Sequence, residues 1–297
     1  MAPLRAQVQP FAGRVGGNQE LVIDRDDPRS AEVLDKAPDA APLMTAREGL
    51  SLQGFLNVDY WKFGLVEGIG KSNQSPVVPT GPAGVFATVN FLGPIFGGLG
   101  NWLFLTLFIF TFSNVSGSHL NPTITMATFF ARLISFPRMV IYIFSQTAGG
   151  TLAGLMLRAG YGTSDFTVGG CFVDTNLVPV DEAFLLEFIF CLLLIFLSFG
   201  VGLDPRQGTI YGPALSPFLV GMVLFGVSWS SAFTRAGFAG ASVNPARCFG
   251  VYVATAFPSY HWIHWVGFNP KLVGPVAASI GHGIVYYVVP PWRIQEP

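Results

Sequence analysis

Long runs without an ionisable side chain alternate with short polar clusters over most of the chain. No Lys, Arg, Asp or Glu lies between Arg138 and Arg158, between Arg206 and Arg235, or between Lys271 and Arg293. Each gap is close to the ~20 residues a helix needs to cross a bilayer core, and longer than the ~10–14 of a buried soluble helix. The pattern predicts spans at about Asn101 to Phe112 with the apolar residues before it, Met139 to Leu157, Ala183 to Leu203, Gly212 to Phe233 and Leu272 to Val289. A less regular first span lies around Leu52 to Gly70. Gly149 and Gly150 give the Met139 span the small surface that close helix packing in lipid uses.

Composition points the same way. Of 297 residues, 51% are hydrophobic and only 11% charged, where soluble domains carry about 25% charge. Residues 1–50 hold much of that charge, lack apolar periodicity, and lack the pattern of a cleaved signal peptide. They are expected to form a disordered cytosolic tail ahead of a membrane domain over 51–293. A net charge of −1 leaves no electrostatic footprint for nucleic acid. Cys171, Cys191 and Cys248 lack the spacing of a metal site or a disulfide scaffold. No nucleophile–base pair, metal cluster or phosphate-binding loop is present, so neither enzyme activity, catalytic residue, metal nor cofactor is expected.

The membrane domain repeats itself. "LVEGIG" (Leu65 to Gly70) resembles "LLEFIF" (Leu185 to Phe190), and "SGSHLNPTITM" (Ser116 to Met126) resembles "AGASVNPARCF" (Ala239 to Phe249). The two offsets, from Glu67 to Glu187 and from Asn121 to Asn244, are nearly equal. Three spans per half put the halves, about 51–160 and 181–293, in opposite orientations across a loop at 161–180. Asn269-Pro270 does not recur with its flanks and reads as an ordinary loop.

Proline suits the first turn of a helix, and asparagine before it is a good N-cap. Pro122 to about Arg132 and Pro245 to about Thr255 are therefore expected to be short helices, neither long enough to span. Irregular backbone at membrane depth is tolerated only inside protein or beside a water-filled cavity. Two half-helices entering from opposite faces would meet by their N-termini near the midplane, positive dipole ends toward one pore. The Asn121 and Asn244 amides would offer hydrogen bonds to a passing solute.

These motifs resemble the aquaporin (major intrinsic protein) family over about residues 60 to 292. The resemblance implies an all-α membrane fold of six transmembrane helices plus two re-entrant half-helices, as an inverted repeat. The midplane motifs are Asn121-Pro122-Thr123, where the family usually has alanine third, and Asn244-Pro245-Ala246. "NPARC" with Cys248, and "VGGC" ending at Cys171, resemble the X intrinsic subgroup. The family implies a homotetramer in the lipid bilayer, in the plasma membrane with both termini cytosolic. It implies passage of water and small neutral solutes such as glycerol, urea or hydrogen peroxide. A strictly water-selective pore and an ion-coupled secondary transporter are the alternatives.

Counting from the motifs, the family's selectivity filter falls on Asn101, Ala232, Ala241 and Arg247; a slip of one would substitute Trp102 for Asn101. Water-selective members usually carry histidine where Ala232 stands, so two alanines imply a wider, less polar opening. Arg247, near the extracellular mouth, would bond a permeating oxygen and repel cations. Glu67 and Glu187 read as buried acceptors behind the half-helices, with proton carriage as the competing role. His119 either satisfies loop carbonyls or gates from the cytosolic side. Cys171 and Cys248 would share the extracellular half, free to pair; Cys248 is equally a small pore-side hydrophobe. His261, His264 and His282 carry no motif. One departure stands out: after Glu67 the chain runs "GIGKSNQSPVVPTGP", with Lys71, Pro76, Pro79 and Pro82 where the family has an apolar run. A shortened first helix, an irregular segment at about 77–96, or loss of part of the helix would each account for it.

Overall fold

Helices dominate the chain because its apolar stretches must satisfy their own backbone hydrogen bonds. The computed structural model describes residues 10–16, 22–73, 92–205, 208–265 and 274–288. In chain order the helices of the bundle are α1 (Val58–Asn73), α2 (Leu92–Phe112), α3 (Pro122–Phe130), α4 (Phe136–Tyr161), α5 (Val180–Ser198), α6 (Gly208–Ser231), α7 (Pro245–Ala254) and α8 (Gly274–Val288). A π-helical turn, Phe199–Leu203, extends α5. Gly212 breaks helical geometry within α6 (φ 64°) just before Pro213, so the regular helix starts where the sequence pattern put it. Among the described residues, four stretches are long and apolar enough to span: Gly93–Phe112, Phe136–Tyr161, Val180–Leu203 and Ile210–Ser231.

The first helix is described over Val58–Asn73. Lys71 lies in its last described turn, while Pro76, Pro79 and Pro82, on which the three explanations for the polar run turn, lie outside the described residues. So do Leu272 and Val289, the expected ends of the last span, and the Asn269-Pro270 pair.

The repeat is visible in the packing. α1 lies on α4 and α5 on α8, while α2 and α6 pair with each other. Each half-helix leans on the last helix of the opposite half, α7 on α4 and α3 on α8. The α4–α7 contact is backbone on backbone: a Cβ at Gly150, Gly154 or Gly250 would collide with main-chain atoms of the other helix. Gly149 does the same against Gly68 of α1.

The expected disordered tail is corrected. Residues 10–16 and 22–57 are folded against one end of the bundle, with short helices at Ala31–Lys36 and Ala46–Gly49. An ion pair explains the order. Asp39 and Arg138 are both buried and joined in a fork, Nε to Oδ2 at 2.7 Å and Nη2 to Oδ1 at 3.0 Å. The Tyr60 hydroxyl donates to Asp39 at 3.0 Å and the Ser135 hydroxyl at 3.3 Å. Arg132 donates to the carbonyls of Leu43 and Met44. Tail charges that looked solvated are thus partners of the membrane domain, and a buried fork left with one member is costly.

Candidate functional site

The two Asn-Pro pairs open α3 and α7, which face each other head to head. The Asn121 side-chain oxygen accepts from Thr123 N–H at 2.9 Å, and that of Asn244 from Arg247 N–H at 3.3 Å. Each amide nitrogen then donates across the centre, Asn121 to the Val243 carbonyl at 2.9 Å and Asn244 to the Leu120 carbonyl at 3.2 Å. An amide nitrogen carries two hydrogens, so this mutual bond leaves a second hydrogen on each. Pro122, Thr123, Pro245 and Ala246 are buried behind them.

The loops that deliver these asparagines match at two pairs of positions. Gly117 and Gly240 have φ of 91° and 95°, and Leu120 and Val243 have φ of 51° and 47°. Non-glycine residues in that region cost about 1–3 kcal/mol unless their surroundings hold them. The glutamates do so. Glu67 accepts from His119 N–H at 3.0 Å and Leu120 N–H at 2.6 Å. Glu187 accepts from Ser242 N–H at 2.9 Å and Val243 N–H at 2.8 Å. Both carboxylates are fully buried. Ser116 and Gln146 complete the shell of Glu67 at 2.6 and 2.9 Å. At Glu187 the corresponding neighbour is His264, 3.6 Å away, a residue without any motif to announce it.

On one side of the asparagines lies a cavity of about 100 Å³ whose wall includes Asn101, Ala232, Ala241, Arg247 and Asn244. All four expected filter positions therefore meet at one opening. Trp102 is not on it; its indole N–H turns to the Phe218 carbonyl at 3.1 Å. Lys71 is on it, which the sequence reading, treating that residue as a break in a helix, missed. Arg247 donates to the Gly169 carbonyl at 2.6 Å, and its other nitrogen lies 3.3 Å from Cys171 Sγ. Cys171 and Cys248 are bonded, with Cα atoms 5.3 Å apart. Segment 168–173 is thereby tied over the arginine, and Gly170 N–H donates to the Ala239 carbonyl at 2.8 Å. Cys191 is buried inside α5.

On the other side a second cavity touches Asn121, Asn244, His119, Leu105, Ile109 and, from the tail, Val15. His119 Nε2 lies 2.6 Å from the Gly13 carbonyl and so donates to it, while Nδ1 is 3.2 Å from the Thr125 hydroxyl. Nearby, burial first and the charge of Arg138 second lower the Arg14 guanidinium to about 10; it stays a cation at neutral pH.

Comparison with known proteins agrees with this geometry. A family model described as "Major intrinsic protein" matches residues 95–282, leaving α1 and the tail outside it. The rice (Oryza sativa subsp. japonica) protein named "Probable aquaporin TIP4-1" is 35% identical over 178 residues, 58% of this chain and 62% of its own. "Probable aquaporin TIP3-2" of Arabidopsis thaliana is 32% identical over 184 residues, 62% of this chain and 63% of its own. The matches thus span less than two thirds of these relatives. The aquaglyceroporin of Plasmodium falciparum, solved by X-ray crystallography, superposes with a TM-score of 0.52 at 17% identity, covering 82% of this chain and 99% of that one. The fold is shared at that distance. The chain belongs to the major intrinsic protein, or aquaporin, family.

Proposed function

We propose that the protein is a passive channel for water and small uncharged solutes, glycerol, urea and hydrogen peroxide among them. The observation that carries the reading is the mutual capping at the centre, where two half-helix N-termini and two asparagine amides face one axis. A solute oxygen there accepts hydrogen bonds in place of lost hydration, while the positive helix ends oppose cations and protons. Asn101, Ala232, Ala241 and Arg247 act as the selectivity filter. Arg247 supplies the donor side, and the two alanines supply an apolar side with no imidazole to narrow it. Glu67 and Glu187 are structural acceptors rather than proton carriers, since each is engaged with two backbone N–H groups. The channel works as a homotetramer in a lipid bilayer, both termini cytosolic. Neither relative bears the X intrinsic name, and both are TIP-type aquaporins, so the plasma membrane expected from sequence has no support among them.

Light scattering from proteoliposomes tests this. An inward glycerol gradient should give rapid reswelling, and an impermeant sucrose gradient rapid shrinkage. Shrinkage without glycerol entry would restrict the function to a water pore; saturable, ion-coupled uptake would replace the channel with a transporter.

A further inference from the structure

Residues 11–16 lie across the inner cavity, from one repeat half to the other. Arg14 Nη1 donates to the Ser113 carbonyl at 2.8 Å, and Val15 N–H to the Gly117 carbonyl at 2.9 Å, both in the first half. His119 holds the Gly13 carbonyl. One residue later Gly16 N–H donates to the Gly202 carbonyl at 2.9 Å, in the second half. Phe11, Ala12, Arg14 and Val15 are 2%, 0%, 1% and 2% exposed. Val15 closes a cavity of about 30 Å³ beneath Asn121 and Asn244, room for only a water or two. From behind, Ala12 N–H donates to the Asp39 carbonyl at 2.8 Å, and Phe11 stacks 4.0 Å from the Arg138 guanidinium.

Two features mark this segment as an occupant of the mouth rather than part of its wall. The half-helices and their glutamates come in repeat-related pairs, whereas residues 11–16 precede both repeats. The groups they engage on the channel side are main-chain carbonyls and one imidazole, all of which water can serve once the segment leaves. The fit is also close: a Cβ on Gly13 would strike Ile134, and Gly16 sits at φ +99° against Pro217. We propose that the cytosolic mouth is a peptide-binding site whose occupant is the chain's own residues 11–16, and that the occupied state is closed. The proposal rests on the channel reading above.

The test uses the full chain in proteoliposomes with two readouts. Cys171 and Cys248 are bonded and Cys191 is buried, so a Val15→Cys substitution adds the one accessible thiol if the segment leaves its seat. With Gly13 intact this thiol should be protected from a water-soluble maleimide. Adding Gly13→Leu, or Phe11→Ala with Arg14→Ala, should expose it and raise water flux roughly tenfold, the shift expected when a few contacts favouring the closed state are lost. A synthetic peptide of residues 10–16 on the cytosolic side should lower the flux again. Rapid labelling of Val15→Cys alone would overturn the proposal. So would a protected thiol in a protein that conducts as fast as the released variants. Release without flux of water or glycerol in any variant would overturn the channel reading, and the proposal with it.

Discussion

At the scale of single residues, geometry separates groups that face the solute from groups that hold them. Ala232 faces the outer cavity, and the proposed filter role makes its size a test of which solutes pass. Ala232→His should cut glycerol flux roughly tenfold or more while water flux persists, because a pocket's fit to a solute is worth about that much discrimination. Stopped-flow light scattering in released-segment protein reads both. Equal loss of water and glycerol would show that Ala232 does not discriminate. Glu187 is fully buried and holds the Ser242 and Val243 N–H groups. Glu187→Ala leaves both buried donors unpaired, at about 1–3 kcal/mol each, and lets Val243 relax from its left-handed conformation. The thermal midpoint in detergent should fall sharply, with Glu187→Gln intermediate since one oxygen remains to accept. An unchanged midpoint would contradict the structural role. Glu187 was legible in the sequence because it belongs to a motif that occurs twice, and Ala232 because it could be counted from one. His264 was not, having no copy in the other half.

At the scale of helices, the packing of α4 decides whether the two halves assemble. Its Gly149 meets α1, and its Gly150 and Gly154 meet α7, so one helix clasps the first span of its own half and the half-helix of the other. In lipid such contacts depend on backbones coming close. Gly150→Leu or Gly250→Leu should abolish monodisperse protein on size-exclusion chromatography. Gly160→Leu, where nothing lies within 4 Å of the added carbon, should not. Normal elution of the Gly250→Leu protein would mean that the half-helix is not seated as described. Helix positions followed from charge-free runs and Asn-Pro starts, since both reflect local rules. The order of residues 10–16 and 22–57 did not. The Asp39–Arg138 fork joins positions 99 apart in sequence, and an aspartate in a charged tail looks the same whether its partner is water or a buried arginine. The apolar Phe11 beside Gly13 in "PFAGRVGG" was the available signal.

At the scale of the whole molecule, the inverted repeat makes a symmetric frame whose two mouths are finished differently. The inner mouth is crossed by a segment held through hydrogen bonds and stacking, reversible on thermal energies. The outer mouth is crossed by residues 168–173, joined covalently to α7 through Cys171–Cys248 and fastened to Arg247 by the Gly169 carbonyl. Symmetry could not announce either feature, because neither has a counterpart in the other half. A bond closing a separation of 77 residues is worth about 4 kcal/mol in the chain-entropy description of disulfides. Its local effect follows from position: it fixes the carbonyl that aims the arginine into the cavity. Thiol counting on denatured protein should give one reactive cysteine, Cys191, without reductant and three with it. Reduction, or Cys171→Ser, should lower the thermal midpoint. By freeing the Arg247 side chain it should also weaken rejection of charged solutes, read as increased cation leak into liposomes carrying the released-segment variant. Three thiols without reductant would remove the bond, and a midpoint drop with unchanged leak would confine it to stability. The two mouths thus differ in kind: a peptide is seated across the inner one through hydrogen bonds and stacking, and a covalent strap crosses the outer one beside Arg247.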